Sequence, residues 1–318
     1  MNLSIIIPNY NGESLLKKNL PKVIEAVASY KKGNIEIIIP DDASKDNSLE
    51  TIQKFQQTAS VQNLTLKGIK SELPTNRGFS GNVNIGVKAA TGDILILLNS
   101  DVVPHKDFLE PLLRHFENPK IFAVGCMDES VEEGNVILRG RGIGSWKRGF
   151  LMHTAGKLDK SNTLWVSCGS GAFRRSIWNS LGGLNELYNP FYWEDIDLSY
   201  RAQKSGYTIL FEKKSIVTHA HEEGAIQKNY SSYNKIKIVY RNQFTFVWIN
   251  ITDTTLLLSH MLWLPYHTLK ALLRMDKAYF WGLWHAVLRL LKVLTYKNNA
   301  RKLFVLADKE IIKQFAKE

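Results

Sequence analysis

The chain has 318 residues, 44% hydrophobic and 22% charged, with a formal net charge of +11; this composition excludes a disordered chain and leaves room for one large α/β domain or a domain with an appendage. The two cysteines, Cys126 and Cys168, exclude a disulfide framework and a zinc-ligand spacing, and point to a reducing, cytosolic setting. Residues 225–318 carry 15 Lys and Arg against 5 Asp and Glu, whereas residues 1–224 carry 26 against 25, so the basic character belongs to the C-terminal region and points to an anionic surface.

Leu3 to Ile7 is an apolar run stopped by Pro8. No charged leader, long apolar core or cleavage site accompanies it, so no signal peptide is expected. Asn9-Tyr10-Asn11-Gly12 supplies turn residues before a predicted helix from about Ser14 to Tyr30, with Leu16, Leu20, Val23 and Val27 at helical spacing. Ile35 to Ile39 is a second strand, ending in Pro40-Asp41-Asp42, and a helix restarts near Ser48. The βαβα order implies a parallel sheet with right-handed crossovers.

Asn76 to Val102 organises the rest. Gly78 and Gly81 open a helix whose N-terminus suits a pyrophosphate, with Asn76 and Arg77 nearby; Gly86 is read as a close packing contact. After a turn at Thr91-Gly92-Asp93 comes the unbroken apolar run Ile94 to Leu98, as expected of a strand covered on both faces. It ends in Asn99-Ser100-Asp101. In open α/β sheets ligands bind beyond the carboxyl ends of the strands, which puts Asp101 where a metal or substrate would lie. The alternative is that Asp101 caps a helix starting near Pro104. Neither G-x-G-x-x-G after the first strand nor G-x-x-x-x-G-K-[ST] occurs, which argues against a dinucleotide-binding fold and a P-loop NTPase.

Phe108 to Phe116 reads as a helix and Ile121 to Gly125 as a strand. Gly134 to Gly156 mixes glycine, arginine and aromatics without clear periodicity, and is taken as an irregular loop at the functional site. In Trp193-Glu-Asp-Ile-Asp-Leu-Ser-Tyr-Arg201, the three acids Glu194, Asp195 and Asp197 fall in the first turn of a helix, where the macrodipole favours them. Asp197 and Arg201 form an i,i+4 pair worth a few tenths of a kcal/mol. Tyr207 to Phe211 is strand-like and leads towards His219 and His221. Beyond Tyr230 the pattern is helical and aromatic-rich: Phe280, Trp284, Val287, Leu288, Leu291 and Leu294 share one face, with Arg289 and Lys292 on the other. The longest uncharged run, Thr254 to Leu269, falls short of the ~20 residues a spanning helix needs. Basic amphipathic helices of this kind suit the membrane interface; the alternative is packing on the α/β domain or pairing subunits. No nucleic-acid motif accompanies the charge.

Five stretches in order, Leu3–Gly12, Ile37–Ser44, Asn99–Asp101, Trp193–Arg201 and His219, resemble the family 2 glycosyltransferases of the GT-A fold, especially the rhamnosyl- and galactofuranosyltransferase-like ones, over about residues 3–221. The resemblance implies a GT-A-like, Rossmann-type mixed sheet flanked by helices over residues 1–224; the charge and amphipathic pattern beyond it add a basic, aromatic-rich helical region over 225–318 for membrane-surface association. It implies that Pro8 and Tyr10 line the base and ribose of a nucleoside-diphosphate sugar and that Asp41 or Asp42 hydrogen-bonds the base. Asn76, Arg77 and Ser100 complete the donor site. Asp101 and His219, with His221 as the fallback, would hold Mg²⁺ or Mn²⁺, although Asn99 replaces the first acid of the family's metal motif. Asp195 would be the base that deprotonates the acceptor hydroxyl, with Glu194 beside it.

The activity implied is inverting transfer of a hexosyl or deoxyhexosyl group, from UDP or dTDP rather than GDP, to a growing, lipid-linked glycan. The expected location is cytoplasmic, peripheral on the inner face of the cell membrane, with no nucleic-acid partner. Three alternatives remain open at this stage: a catalytically inactive sugar-nucleotide-binding or scaffold protein, which Asn99 favours; a nucleotidyltransferase; and a polyprenyl-phosphate sugar synthase.

Overall fold

The computed structural model of the protein describes residues 1–58, 62–220 and 223–316. His221 lies outside them. The N-terminal half alternates strands and helices: β1 (Leu3–Ile6), α1 (Glu13–Val27), β2 (Ile35–Asp41), α2 (Ser48–Thr58), β3 (Leu64–Lys70), α3 (Phe79–Ala89) and β4 (Ile94–Leu98). Then come β5 (Val102–Pro104), α4 (Leu109–Leu113), β6 (Ile121–Glu132), β7 (Asn135–Arg139), β8 (Gly142–Lys147), β9 (Phe150–Ala155), β10 (Ser170–Arg174) and α5 (Arg175–Leu181). The chain continues through α6 (Glu194–Lys204), β11 (Thr208–His219), α7 (Ala225–Asn229), α8 (Ser232–Asn250), α9 (Thr254–Leu273), α10 (Lys277–Val287), α11 (Leu290–Ala300) and α12 (Asp308–Lys313).

The main sheet runs β3-β2-β1-β4-β10-β6-β11-β5, with β7 paired to β6. Strands β3, β2, β1 and β4 are parallel, while β10 is antiparallel to both its neighbours. Ile5 stands opposite Ile37 and Ile96. Because side chains alternate across a strand, these three join Leu16, Leu20 and Val23 of α1 in one apolar layer, and Ile6, Ile38, Leu95 and Leu97 join Val83 and Val87 of α3 in the other. That explains the unbroken apolar runs. A Cβ on Gly86 would meet Ile6 Cγ2 at 2.6 Å, so this glycine lets α3 approach the sheet.

Two expectations change. Val102–Pro104 is a strand paired antiparallel with β11, so Asp101 caps no helix. Gly134 to Gly156 is not irregular: β6 and β7 form one hairpin and β8 and β9 another. Their turns centre on Glu133-Gly134 and Arg148-Gly149, all with positive φ, the backbone of the tight two-residue hairpin loop. Glu and Arg rarely take the first position of such a loop, which hid both hairpins.

A third core spans residue 224. Phe150, Leu151, Tyr188, Trp193 and Tyr200 pack with Phe244, Phe246 and Val247 of α8. The wholly buried Lys204 Nζ lies 2.7 Å from the wholly buried Asp308, tying α6 to α12. The C-terminal helices thus pack on the sheet domain through apolar contact and a buried ion pair.

Candidate active site

A cavity of about 410 Å³ opens at the carboxyl ends of β1, β2 and β4. The loops after β1 and β2 are laced together: Asn9 Nδ2 donates to Asp41 at 2.8 Å, the Glu13 N–H to Asp46 at 2.9 Å and the Lys45 N–H to Asn11 at 2.7 Å. Asp41 also takes the Ser44 N–H and hydroxyl, so its carboxylate is used within the loops and does not line the cavity. Pro8, Tyr10, Asp42, Asn76, Ser100, Asp101 and His219 all do. Asp42 accepts the backbone N–H of Arg77 at 2.8 Å and of Gly78 at 3.0 Å, fixing the turn that opens α3. Burial pushes the Asp42 carboxyl up against these bonds. The Arg77 side chain lies off the cavity wall. Asn9 and Asn82 line the cavity, and each leaves a buried side-chain oxygen without a hydrogen-bond partner. Such orphaned acceptors call for a ligand with donors.

The wall also takes Tyr230, which no motif announces. Tyr230, just past α7, faces the cavity with Tyr10, Phe191 and Tyr192; the Phe191 and Tyr230 rings meet edge to face at 4.6 Å. Aromatic rings here offer flat apolar area to a base or sugar. The sequence signal for Tyr230 is only the aromatic content of 230–233.

At the far side of the cavity, His219 Nε2 lies 3.4 Å from Asp101 Oδ1, and its Nδ1 lies 2.9 Å from Asp128 Oδ2. Burial pulls the imidazole pKa down, but the bonds to Asp101 and Asp128 outweigh it and raise it to about 9. Asp128 comes from β6, which runs parallel to β11; nothing in its local sequence marks it. The donor set fits a divalent cation: one carboxylate oxygen and one imidazole nitrogen face each other, and a carboxylate on Nδ1 orients the ring, as second-shell partners of metal-bound histidines do. Two ligands at about 2.1 Å from a metal, set at right angles, stand about 3 Å apart. Among the described residues no group of three or more His, Cys, Asp or Glu is placed to hold a metal, so this pair would need oxygen ligands from the substrate and water.

Glu194 and Asp195 begin α6, one residue past the cavity residues Pro190, Phe191 and Tyr192. They do not line that cavity. Tyr192 and Trp193 both take left-handed backbone, at φ 70° and 77°, a conformation unfavourable for non-glycine residues. Asn242 of α8 holds this turn: its Nδ2 lies 2.9 Å from the Tyr188 and Phe191 carbonyls and 2.8 Å from that of Tyr192. Arg241 donates to the Asn189 carbonyl at 2.6 Å. Asn189 in turn donates to the Arg77 carbonyl and accepts from the Ser80 N–H, joining the acid-bearing turn to the N-terminus of α3. Burial raises the Asp195 carboxyl to about 6. Burial and then the Asp195 charge push Glu194 well above the usual range, and its buried Oε2 has no partner.

Asp197 is wholly buried. It accepts from Arg201 Nε at 2.8 Å, the Tyr188 hydroxyl at 3.0 Å and Asn250 Nδ2 at 2.7 Å. The pair expected to be a weak surface contact is therefore the centre of a buried network.

The model of the family described as Glycosyl transferase family 2 matches residues 4–182, more than half of the chain. The chain belongs to glycosyl transferase family 2. This family 2 chain is 24% identical over 233 residues to chondroitin synthase of Pasteurella multocida, covering 65% of this chain and 23% of that protein. It is 23% identical over 224 residues to the O-antigen chain rhamnosyltransferase RfbN of Salmonella typhimurium, covering 70% of this chain and 67% of that protein. It thus spans about a quarter of the length of the first relative. Among solved structures it resembles S. aureus TarS 1–349 in complex with UDP-GlcNAc, with a TM-score of 0.60 at 17% identity over all of this chain and 91% of that one. It also resembles GalNAc-T7 with UDP, GalNAc and Mn²⁺, with a TM-score of 0.61 at 18% identity over 80% of this chain and 48% of that one. At such identities the likeness shows the GT-A fold: a mixed, curled sheet flanked by helices, here with further C-terminal helices.

Proposed function

We propose that this family 2 member is a metal-dependent, inverting glycosyltransferase that moves a sugar from a nucleoside diphosphate to a hydroxyl of a growing, lipid-linked glycan. The observation that carries the reading is the joining of two half-sites. The strand-end cavity gathers Pro8, Tyr10, Asp42, Asn76, Ser100, Asp101 and His219, and the turn bearing Asp195 is bonded to the same α3 opening through Asn189.

In this reading the aromatic wall around Tyr10 and Tyr230 takes the base, and Asn9 and Asn82 receive donors from the nucleoside. Asp42 is placed to accept a ring N–H of the base, such as N3–H of uracil or thymine in the UDP- or dTDP-linked donor proposed here. Asp101 and His219 would hold Mn²⁺ or Mg²⁺, whose chemistry is to neutralise the diphosphate as it departs. GalNAc-T7 and a mannosyltransferase from Pyrobaculum calidifontis were solved with Mn²⁺. Asp195 takes the acceptor's proton as that oxygen bonds the anomeric carbon, while the bond to the diphosphate oxygen breaks and its electron pair leaves with the nucleotide. A base with a pKa near neutrality is well matched to this work. Glu194, held neutral, is placed to donate a hydrogen bond. One base and one in-line displacement give inversion.

The test is hydrolysis of UDP-, dTDP- and GDP-linked sugars with Mn²⁺ by the wild type and Asp101→Ala. Hydrolysis of one donor, dependent on metal and lost in the variant, is expected. Binding without turnover that ignores the variant would instead describe a sugar-nucleotide-binding protein, and no binding of any donor would overturn the reading.

A further inference from the structure

Among the described residues, eighteen of the twenty-seven large hydrophobic side chains left exposed lie between Leu258 and Val305. They are not scattered. On α9 the outward residues Leu258, Leu262, Tyr266, Leu269 and Leu273 recur every three or four positions to the end of the helix, which at 1.5 Å per residue makes a stripe about 23 Å long. Leu262 is 79% exposed and Leu273 76%. The opposite face of α9 is held inward, where His260 lies against the Gly149 carbonyl. A second stripe runs along α10 and α11 through Trp284, Leu288 and Leu291, the last 82% exposed. It lies opposite Gly282, whose missing side chain lets α10 meet Tyr240 of α8. Apolar patches of this extent are rare on a monomer that keeps to water.

Charge selects the occupant. From Thr254 to Ala300 the only acid is Asp276, against six basic residues; Arg289 and Lys297 donate inward to the Leu187 and Ile251 carbonyls, which leaves Lys270, Arg274, Lys277 and Lys292 for the outer surface. Asp276 is turned inward, capping the Tyr279 N–H and accepting from the Tyr240 hydroxyl. The tip of the β8–β9 hairpin adds Arg148, stacked over Trp263 and Tyr266 of α9. A second copy packed symmetrically on this face would set like charges against each other. Among the described residues no helix is long and apolar enough to cross a membrane. We propose that the outer faces of α9, α10 and α11 seat the protein in the plane of an anionic lipid bilayer, with the leucines and tryptophans among the acyl chains and the lysines and arginines at the headgroups.

Vesicle binding needs neither donor nor acceptor, so this inference stands or falls apart from the activity proposed above. The full chain is sedimented with vesicles of phosphatidylcholine alone and of phosphatidylcholine mixed with phosphatidylglycerol. It should pellet with the mixed vesicles, lose binding as salt rises, and lose it about tenfold or more in Leu262→Glu/Leu291→Glu and in Lys270→Glu/Arg274→Glu/Lys277→Glu. Donor hydrolysis in solution should be unchanged in both. Quenching of wild-type tryptophan fluorescence by brominated lipid reads the same contact without a variant. Equal pelleting with neutral vesicles, no pelleting and no quenching, or a dimer in solution that Leu262→Glu/Leu291→Glu dissolves would each overturn it.

Discussion

At the donor end, the directions of β1, β2 and β4 bring Pro8, Asp42 and Asp101 to one edge, and loops from neighbouring strands bond directly to each other. The turn bearing Asp195 is held differently. Its backbone runs through two left-handed residues, and its carbonyls are held by Arg241 and Asn242 of a helix some fifty residues further on. Behind it, Asp197 and Arg201 are closed in by Tyr188 and Asn250. The strand-end cavity is a product of strand order, whereas the acid-bearing turn is a product of tertiary packing with the C-terminal helices.

The largest effect that separates the two is expected from Asp195→Asn. General bases contribute about 10²–10⁴ in rate, so transfer should fall by that factor while donor KM and the metal requirement stay as in the wild type. A matching loss of donor binding in steady-state kinetics would place Asp195 on the donor side instead. Next comes Asp197→Ala. It leaves Arg201 charged and buried, and breaking one partner of such a pair costs about 3–5 kcal/mol. Thermal unfolding should show it. A loss of a few tenths of a kcal/mol would mean that the network opens to water in solution.

The contrast also explains what the sequence discloses. β1, β2 and β4 carry their strand signal locally, in apolar runs ended by Pro8, Asp42 and Asn99, and the cavity follows from their parallel order. The turn residues after them sit where ligands meet such sheets. Asp41 was indistinguishable from Asp42 because only the loop lacing, set by Asn9 and Ser44, decides which carboxylate is free to face the cavity. Asp128 reaches His219 only through the pairing of β6 with β11. The i,i+4 spacing of Asp197 and Arg201 is the same on a wet or a dry helix face, and the face is dry here because α8 covers it. Likewise α9 reads as an apolar run whether its leucines point in or out. In each case the missing information is a contact from an element far along the chain.

The finest probe of the acid-bearing turn is Asn242→Ala, which touches neither substrate nor acid in this reading. It leaves the Tyr188, Phe191 and Tyr192 carbonyls without their side-chain donor, at about 1–3 kcal/mol for a buried group left unmade. As a positioning residue it should lower kcat about tenfold or more and spare donor KM, whereas a merely destabilised fold would lower the amount of active enzyme and spare kcat per active site. The pH profile gives the sharper reading. A base raised to about 6 works only when deprotonated, so wild-type kcat/KM should be level above that value and fall tenfold per unit below it. If Asn242 keeps the turn closed over Asp195, its loss admits water, the carboxyl returns towards the ordinary value of about 4, and the acid limb moves down with it. An acid limb that stays at about 6 while kcat falls would show that Asn242 sets the direction of the carboxylate and not its burial.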